Sequence, residues 1–280
     1  MKVHHLNLAT MCPFGGRLLT GGQRSLLGRA ELVIHVLVVE TPDDGLVLVD
    51  TGMGLDDVRS PERRLGKFFM TMSRPILRES QTAIRQIERL GFHRKDVRNI
   101  VVTHLDPDHA GGLVDFPQAK VHVHKAEHLA ATQPSTFAER HRYRAIQLAH
   151  GPHWELHEPT EGERWFGFEN VRAVGDDVLL VPLPGHTRGH SAVAVRVAEP
   201  GGPEWLLHCG DGYFFHLEKE EESLCPPLLR AFQTTMAIDN AARRANADRL
   251  RQLHKEHGSK VRLISAHDAE ELKAMTLTAS

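Results

Sequence analysis

The chain has 280 residues, 41% apolar, 25% charged and 6% aromatic, with 34 basic against 36 acidic side chains. That composition suits a soluble, enzyme-sized globular body, and the near-neutral balance withholds the electrostatic footprint that non-specific nucleic-acid or anionic-membrane binding requires. No apolar run approaches the roughly 18 residues of a membrane span, and Met1 to Gly16 lacks the unbroken stretch of a signal peptide, so a cytoplasmic protein is expected.

The runs Leu32 to Val39 and Leu46 to Val49 are valine-rich and separated by Thr41-Pro-Asp-Asp-Gly45, whose turn chemistry predicts a hairpin. Asp50-Thr-Gly52 follows at the strand end. Gln81 to Leu90 carries Ile84, Ile87 and Leu90 at helical spacing, Gly91 can close that helix, and Ile100 to Thr103 resumes as a buried strand. Val121 to Val123 reads as another strand. From Lys125 to about Asp177 periodic signals are few, and helices with substrate-facing loops are expected there. Val178 to Leu183, Ala192 to Val197 and Trp205 to Cys209 predict three more strands. An amphipathic helix over Ile238 to His257 precedes a final strand, Val261 to Ser265. Without a repeat, a low-complexity tract or a Gly/Ser linker, the reading is one α/β domain over residues 1–280.

Cys12, Cys209 and Cys225 are odd in number and lack CxxC spacing, so neither a disulfide framework nor a thiolate zinc site is indicated. Histidine, with 20 copies, is the excess. The strand ending at Thr103 runs into His104-Leu-Asp106-Pro-Asp108-His109-Ala-Gly-Gly112, four potential metal ligands close together. His104 and Asp106 can face one side while Pro107 re-aims Asp108 and His109, so two adjacent metal positions fit this stretch. Pro184-Gly-His186-Thr-Arg-Gly-His190, Gly210-Asp211-Gly212 and Ser265-Ala-His267-Asp268 each follow a strand. Carboxyl ends of strands are where open α/β sheets build sites, so these groups can converge.

In that order, Asp50-Thr-Gly52, His104 to His109, His186, Asp211 and His267, the chain resembles the metallo-β-lactamase-fold hydrolases over almost its whole length. The resemblance implies an αββα sandwich with a metal centre at the edge between two sheets. It implies that His104, Asp106 and His186 hold one divalent ion and Asp108, His109 and His267 another, with Asp211 bridging. Asp50 and His190 would support the ligands through hydrogen bonds. The family's usual motif is His-x-His-x-Asp-His, and Asp106 replaces its second histidine. Zinc is the ion by family, and the harder carboxylate opens the site to iron or manganese.

Within that family the chain is similar to N-acyl homoserine lactonases, the quorum-quenching enzymes. Val49-Asp-Thr-Gly-Met53, Thr103-His-Leu-Asp-Pro-Asp-His-Ala-Gly-Gly112, Lys125-Ala-Glu-His-Leu129, Pro184-Gly-His-Thr-Arg-Gly-His-Ser191 and Ala266-His-Asp268 carry the likeness. It implies a neutral lactone or ester substrate opened by a metal-bridging hydroxide, with Asp108 as ligand and orienter of the nucleophile. Such lactonases place a tyrosine three residues past the bridging aspartate. Here Phe214 stands there and Tyr213 lies one residue earlier, so Tyr213 is either the candidate to bind the lactone or a buried core tyrosine that leaves the role vacant.

Phe68, Phe69, Met70 and Met72 are candidates to line an acyl trough, or to be plain helix packing. The clusters Arg63-Arg64 and Arg140-His-Arg-Tyr-Arg144 could steer an anionic substrate or be a solvated face. A glyoxalase II-like thioesterase is the nearer hydrolytic alternative. His104, His186 and Asp211 alone would suit a mononuclear-iron persulfide dioxygenase. A metal-stapled binding module is a third reading. No nucleic-acid or membrane partner is expected, and a homodimer is an expectation by analogy with the lactonases.

Overall fold

The computed structural model describes residues 1–278 apart from 22–24, 27, 43–44, 159–161 and 198–200. Among these, one sheet holds β1 (Lys2–Met11), β2 (Leu32–Glu40), β3 (Leu46–Val49), β4 (Pro75–Ile76), β5 (Val97–Val101), β6 (Lys120–His124) and β7 (His153–His157), in the order β4-β1-β2-β3-β5-β6-β7. The other holds β8 (Glu163–Trp165), β9 (Phe168–Ala173), β10 (Val178–Pro182), β11 (Ser191–Arg196), β12 (Trp205–His208) and β13 (Val261–Ile264), in the order β13-β12-β11-β10-β9-β8. Antiparallel pairing at β1-β2-β3 gives way to parallel pairing through β5, β6 and β7, and β12 pairs parallel with β13.

Side-chain alternation explains the layers. In β2, Leu32, Ile34, Val36 and Val38 enter an outer core with Ile84 and Ile87 of the helix Ala83–Arg89. Leu37 and Val39 face the other way and meet Val193 and Val195 of β11 between the sheets. The opposite face of β11, Ala192 and Ala194, joins a third core with Leu250 and Leu253 of the helix Asn240–His257. Helix, sheet, sheet and helix are therefore stacked as the αββα sandwich.

The valine-rich runs lie where the sequence places them, each within a few residues. The hairpin β2–β3 forms, although Asp43 and Asp44 of its turn lie outside the described residues. Three features depart from expectation. β1 is a ten-residue strand. The stretch expected as helices and loops after Lys125 also supplies β7, β8 and β9. A helix, Ala269–Thr278, closes the described chain. The arginine clusters are not surface features throughout. Arg64 is buried against Asp57 and Gln147, and Arg144 donates to the carbonyls of Arg63 and Arg64.

Candidate metal centre

Each donor leaves a strand and enters a loop. After β3, Asp50 takes φ of 60°, a left-handed conformation that aspartate tolerates better than most residues. Its carboxylate accepts from the Thr103 N–H at 2.7 Å, the Thr103 hydroxyl at 2.9 Å and His109 Nδ1 at 2.9 Å. The Thr103 oxygen in turn lies 3.0 Å from His104 Nδ1, placed to accept that hydrogen. His267 Nδ1 donates to the Val33 carbonyl at 2.8 Å. Three imidazoles are thus held by Nδ1 with Nε2 turned inward. His190 fixes a fourth group: Nδ1 donates to the Leu183 carbonyl at 3.0 Å and Nε2 accepts the Asp211 N–H at 3.0 Å.

The inward atoms converge on Asp211. Its Oδ1 lies 3.1 Å from His267 Nε2 and 3.3 Å from His109 Nε2, and its Oδ2 lies 3.1 Å from His186 Nε2 and 3.8 Å from His104 Nε2. Asp108 Oδ2 stands 3.7 Å from His267 and 3.8 Å from His109, while Asp106 Oδ2 stands 3.3 Å from His104 and 3.4 Å from His186. All seven side chains expected as ligands are buried and brought together, and their atoms group into His104–Asp106–His186, Asp108–His109–His267 and His104–His109–Asp211 sets.

Three buried atoms of this cluster, His104 Nε2, His186 Nδ1 and Asp211 Oδ1, have no hydrogen-bond partner among the described residues. Orphaned lone pairs among three carboxylates and four imidazoles fit a cation. The electrostatics agree. Burial opposes the charge on Asp211, but His267, His109 and the other imidazoles hold its carboxyl well below the usual range. Burial likewise disfavours a charged His109, yet Asp211, Asp108 and Asp50 hold its proton well above the usual pKa. The carboxylates demand positive charge at this spot.

Two further residues shape the centre. Glu127, fully buried in the helix Lys125–Thr132, accepts the Leu105 N–H and the Tyr143 hydroxyl on Oε1, each at 2.9 Å, and the Gly189 N–H on Oε2 at 3.1 Å. Its place inside Lys125-Ala-Glu-His-Leu129 was the only signal. Arg142, last residue of the helix Phe137–Arg142, forks onto Asp106, with Nε to Oδ1 at 2.6 Å and Nη2 to Oδ2 at 2.7 Å. Burial opposes ionisation of Asp106, but this guanidinium holds its carboxyl well below the ordinary range. Burial, followed by the same charge, pushes His186 down to about 4.

Tyr213 is not among the converging groups. Its buried hydroxyl donates to Glu271, 2.9 Å from Oε1 and 3.1 Å from Oε2, beneath Leu250 and Leu263. Alternation along the loop turns it into the outer core, so of the two readings the buried core tyrosine holds and the lactone contact is corrected. Phe214 turns the other way and stacks on His267, ring centres 5.1 Å apart. The expected trough also divides: Phe69 and Met70 pack on the first core, while Phe68 and Met72 are exposed on the helix Lys67–Ser73.

A sandwich of this order with a His/Asp cluster at the strand ends defines a metal-dependent hydrolase, and the family model for the Metallo-beta-lactamase superfamily matches residues 29–251. The chain belongs to that superfamily. It is 43% identical over 273 residues to the Probable metallo-hydrolase of Mycobacterium tuberculosis, covering 96% of this chain and 81% of the relative. It is 28% identical over 229 residues to the N-acyl homoserine lactonase AttM of Rhizobium johnstonii, covering 81% and 79%. Among solved structures, an AiiA variant of Bacillus thuringiensis with N-decanoyl-L-homoserine bound at its active site has a TM-score of 0.73 at 20% identity, covering 98% and 95%. No helix of the described residues is long and apolar enough to cross a membrane.

Proposed function

We propose that this metallo-hydrolase opens N-acyl homoserine lactones or closely related lactones. The observation that carries the reading is Asp211, whose two oxygens face separate donor groups. His104, Asp106 and His186 are the candidate donors on one side, Asp108, His109 and His267 on the other. A divalent cation held there polarises a carbonyl and supplies hydroxide at neutral pH.

The chain's own residues account for the rest. Asp108 turns Oδ2 toward the imidazoles, and its Oδ1 is assigned to accept the nucleophile's proton. Asp50 and His190 hold the ligands in place. Phe214 covers His267 and meets Phe232 edge-on at 5.9 Å, and Phe232 is 39% exposed. That strip runs from the cluster to solvent and suits an acyl tail. Zinc, manganese and iron are all compatible with a nitrogen and oxygen donor set.

The test is a substrate panel on purified protein reloaded with each ion. Acid release from N-hexanoyl and N-decanoyl homoserine lactone is expected. Turnover of glutathione thioesters without lactone opening would replace this reading with the thioesterase, and oxygen consumption with glutathione persulfide would replace it with the dioxygenase.

A further inference from the structure

The five N–H groups of Arg142 meet five acceptors. Nε–H goes to Asp106 Oδ1 at 2.6 Å, and Nη2 donates to Asp106 Oδ2 at 2.7 Å and to His186 Nε2 at 2.5 Å. Nη1 donates to the carbonyls of Met236 at 2.7 Å and His186 at 3.3 Å. The side chain is 7% exposed. A guanidinium has five N–H donors, so this pocket satisfies it completely. The pocket is built from three places: the ligand loop after β5, the loop after β10, and the carboxyl end of the helix Pro227–Met236, where a cation is favoured.

His186 Nε2 has one lone pair, and Arg142 already donates into it. Both Asp106 oxygens carry a charged N–H as well. Among the described residues the Asp108–His109–His267 group has no such occupant: the cations within contact of it are its own imidazoles. The two donor groups are therefore unequal.

We propose that Arg142 is a built-in cation that takes the place of one of the two metal ions, so that each chain binds a single divalent ion in the Asp108–His109–His267 group with Asp211. The proposal rests on the metal-binding part of the reading above and narrows its two-ion assignment; it does not depend on the lactone. Arginine stays charged at every accessible pH, so raising the pH does not open the second position. Asp106 and Arg142 belong together: the aspartate that departs from the family motif brings a negative charge, and the guanidinium cancels it.

The experiment is a zinc, manganese and cobalt titration of chelator-stripped full-length protein, followed by calorimetry and by elemental analysis after desalting. The wild type is expected to hold one equivalent. Arg142→Leu is expected to hold two, the second bound at least about a hundredfold more tightly than any second ion in the wild type, because no buried charge must leave its partners. Arg142→Lys keeps a charge but cannot fork and is expected to lie between them. Wild-type crystals soaked in manganese are expected to show one anomalous peak, at Asp108, His109 and His267, with Arg142 still on Asp106; this arm needs no variant to fold. Two equivalents in the wild type, or a peak at His104 and His186, would overturn the proposal and leave the metal-dependent reading standing. No bound ion at all would overturn both.

Discussion

Gly189 and Glu127 meet backbone to backbone, so closely that a Cβ on residue 189 would stand 2.2 Å from the Glu127 nitrogen. The approach lets the Glu127 carboxylate reach both ligand loops, Leu105 on one and Gly189 on the other. Gly189→Ala should cost about 2–3 kcal/mol, since the opposing atom is main chain and cannot yield. Glu127→Ala should cost about 3 kcal/mol by leaving three buried donors unmet, and should weaken metal binding about 10- to 100-fold. Urea denaturation with metal titration checks both. Wild-type stability in Gly189→Ala would mean the loops can part without loss.

Asp108→Asn keeps the shape of the side chain and removes its charge. Turnover is expected to fall at least about a hundredfold while the metal-free fold unfolds at nearly the same temperature. Steady-state kinetics beside thermal melts separate the two effects. Near-wild-type turnover would remove Asp108 from the chemistry.

Tyr213 and Phe214 should give opposite results. Tyr213→Phe is expected to cost about 1 kcal/mol of stability through the lost bond to Glu271, with kcat/KM on lactones unchanged within about twofold. Phe214→Ala is expected to raise KM more for a decanoyl than for a hexanoyl substrate. Loss of kcat in Tyr213→Phe would restore the hydroxyl to the site.

Stability of the metal-free protein should depend on pH in a definite direction. Burial, with neighbouring histidine charge, pushes His5 and His122 from 6.5 down to about 4, and His35 well below its ordinary value. In the unfolded chain these imidazoles gain protons as the pH drops below 6.5, whereas in the fold they do not until about 4. Stability is therefore fully present above about pH 6.5 and declines below it, at about 1.4 kcal/mol per pH unit for each histidine. Asp115, which burial raises to about 6, and His109, whose proton Asp211, Asp108 and Asp50 hold against burial, oppose part of this, because a group with a raised pKa favours the fold at lower pH. Urea midpoints at several values between about pH 5 and pH 8 should slope downward toward acid, less steeply in His122→Asn. A flat profile would contradict the buried neutral imidazoles.

How much of this could be read beforehand follows from burial. β2, β3, β10 and β11 are buried largely on both faces and so must be apolar runs, which is a signal that needs no partner to interpret. β7 and β9 keep exposed faces carrying Glu155, Glu169 and Asn170, and their patterns resemble loops. The seven converging side chains stood out in the sequence because each lies in a loop that follows a strand and each is a donor type. Arg142 was not: Arg140-His-Arg-Tyr-Arg144 is the composition of a solvated helix end, and only the packing of the helix Phe137–Arg142 against Asp106 turns Arg142 inward. Tyr213 failed for a smaller reason, since one position along an extended loop reverses the side on which a ring lies.

Asp50 both bends the chain out of the sheet, at φ of 60°, and grips His109. Glycine there would relieve the bend and drop the grip; alanine would keep the bend and still drop it. Mechanical fit and chemical competence are thus vested in one side chain, and no single exchange can trade the first against the second.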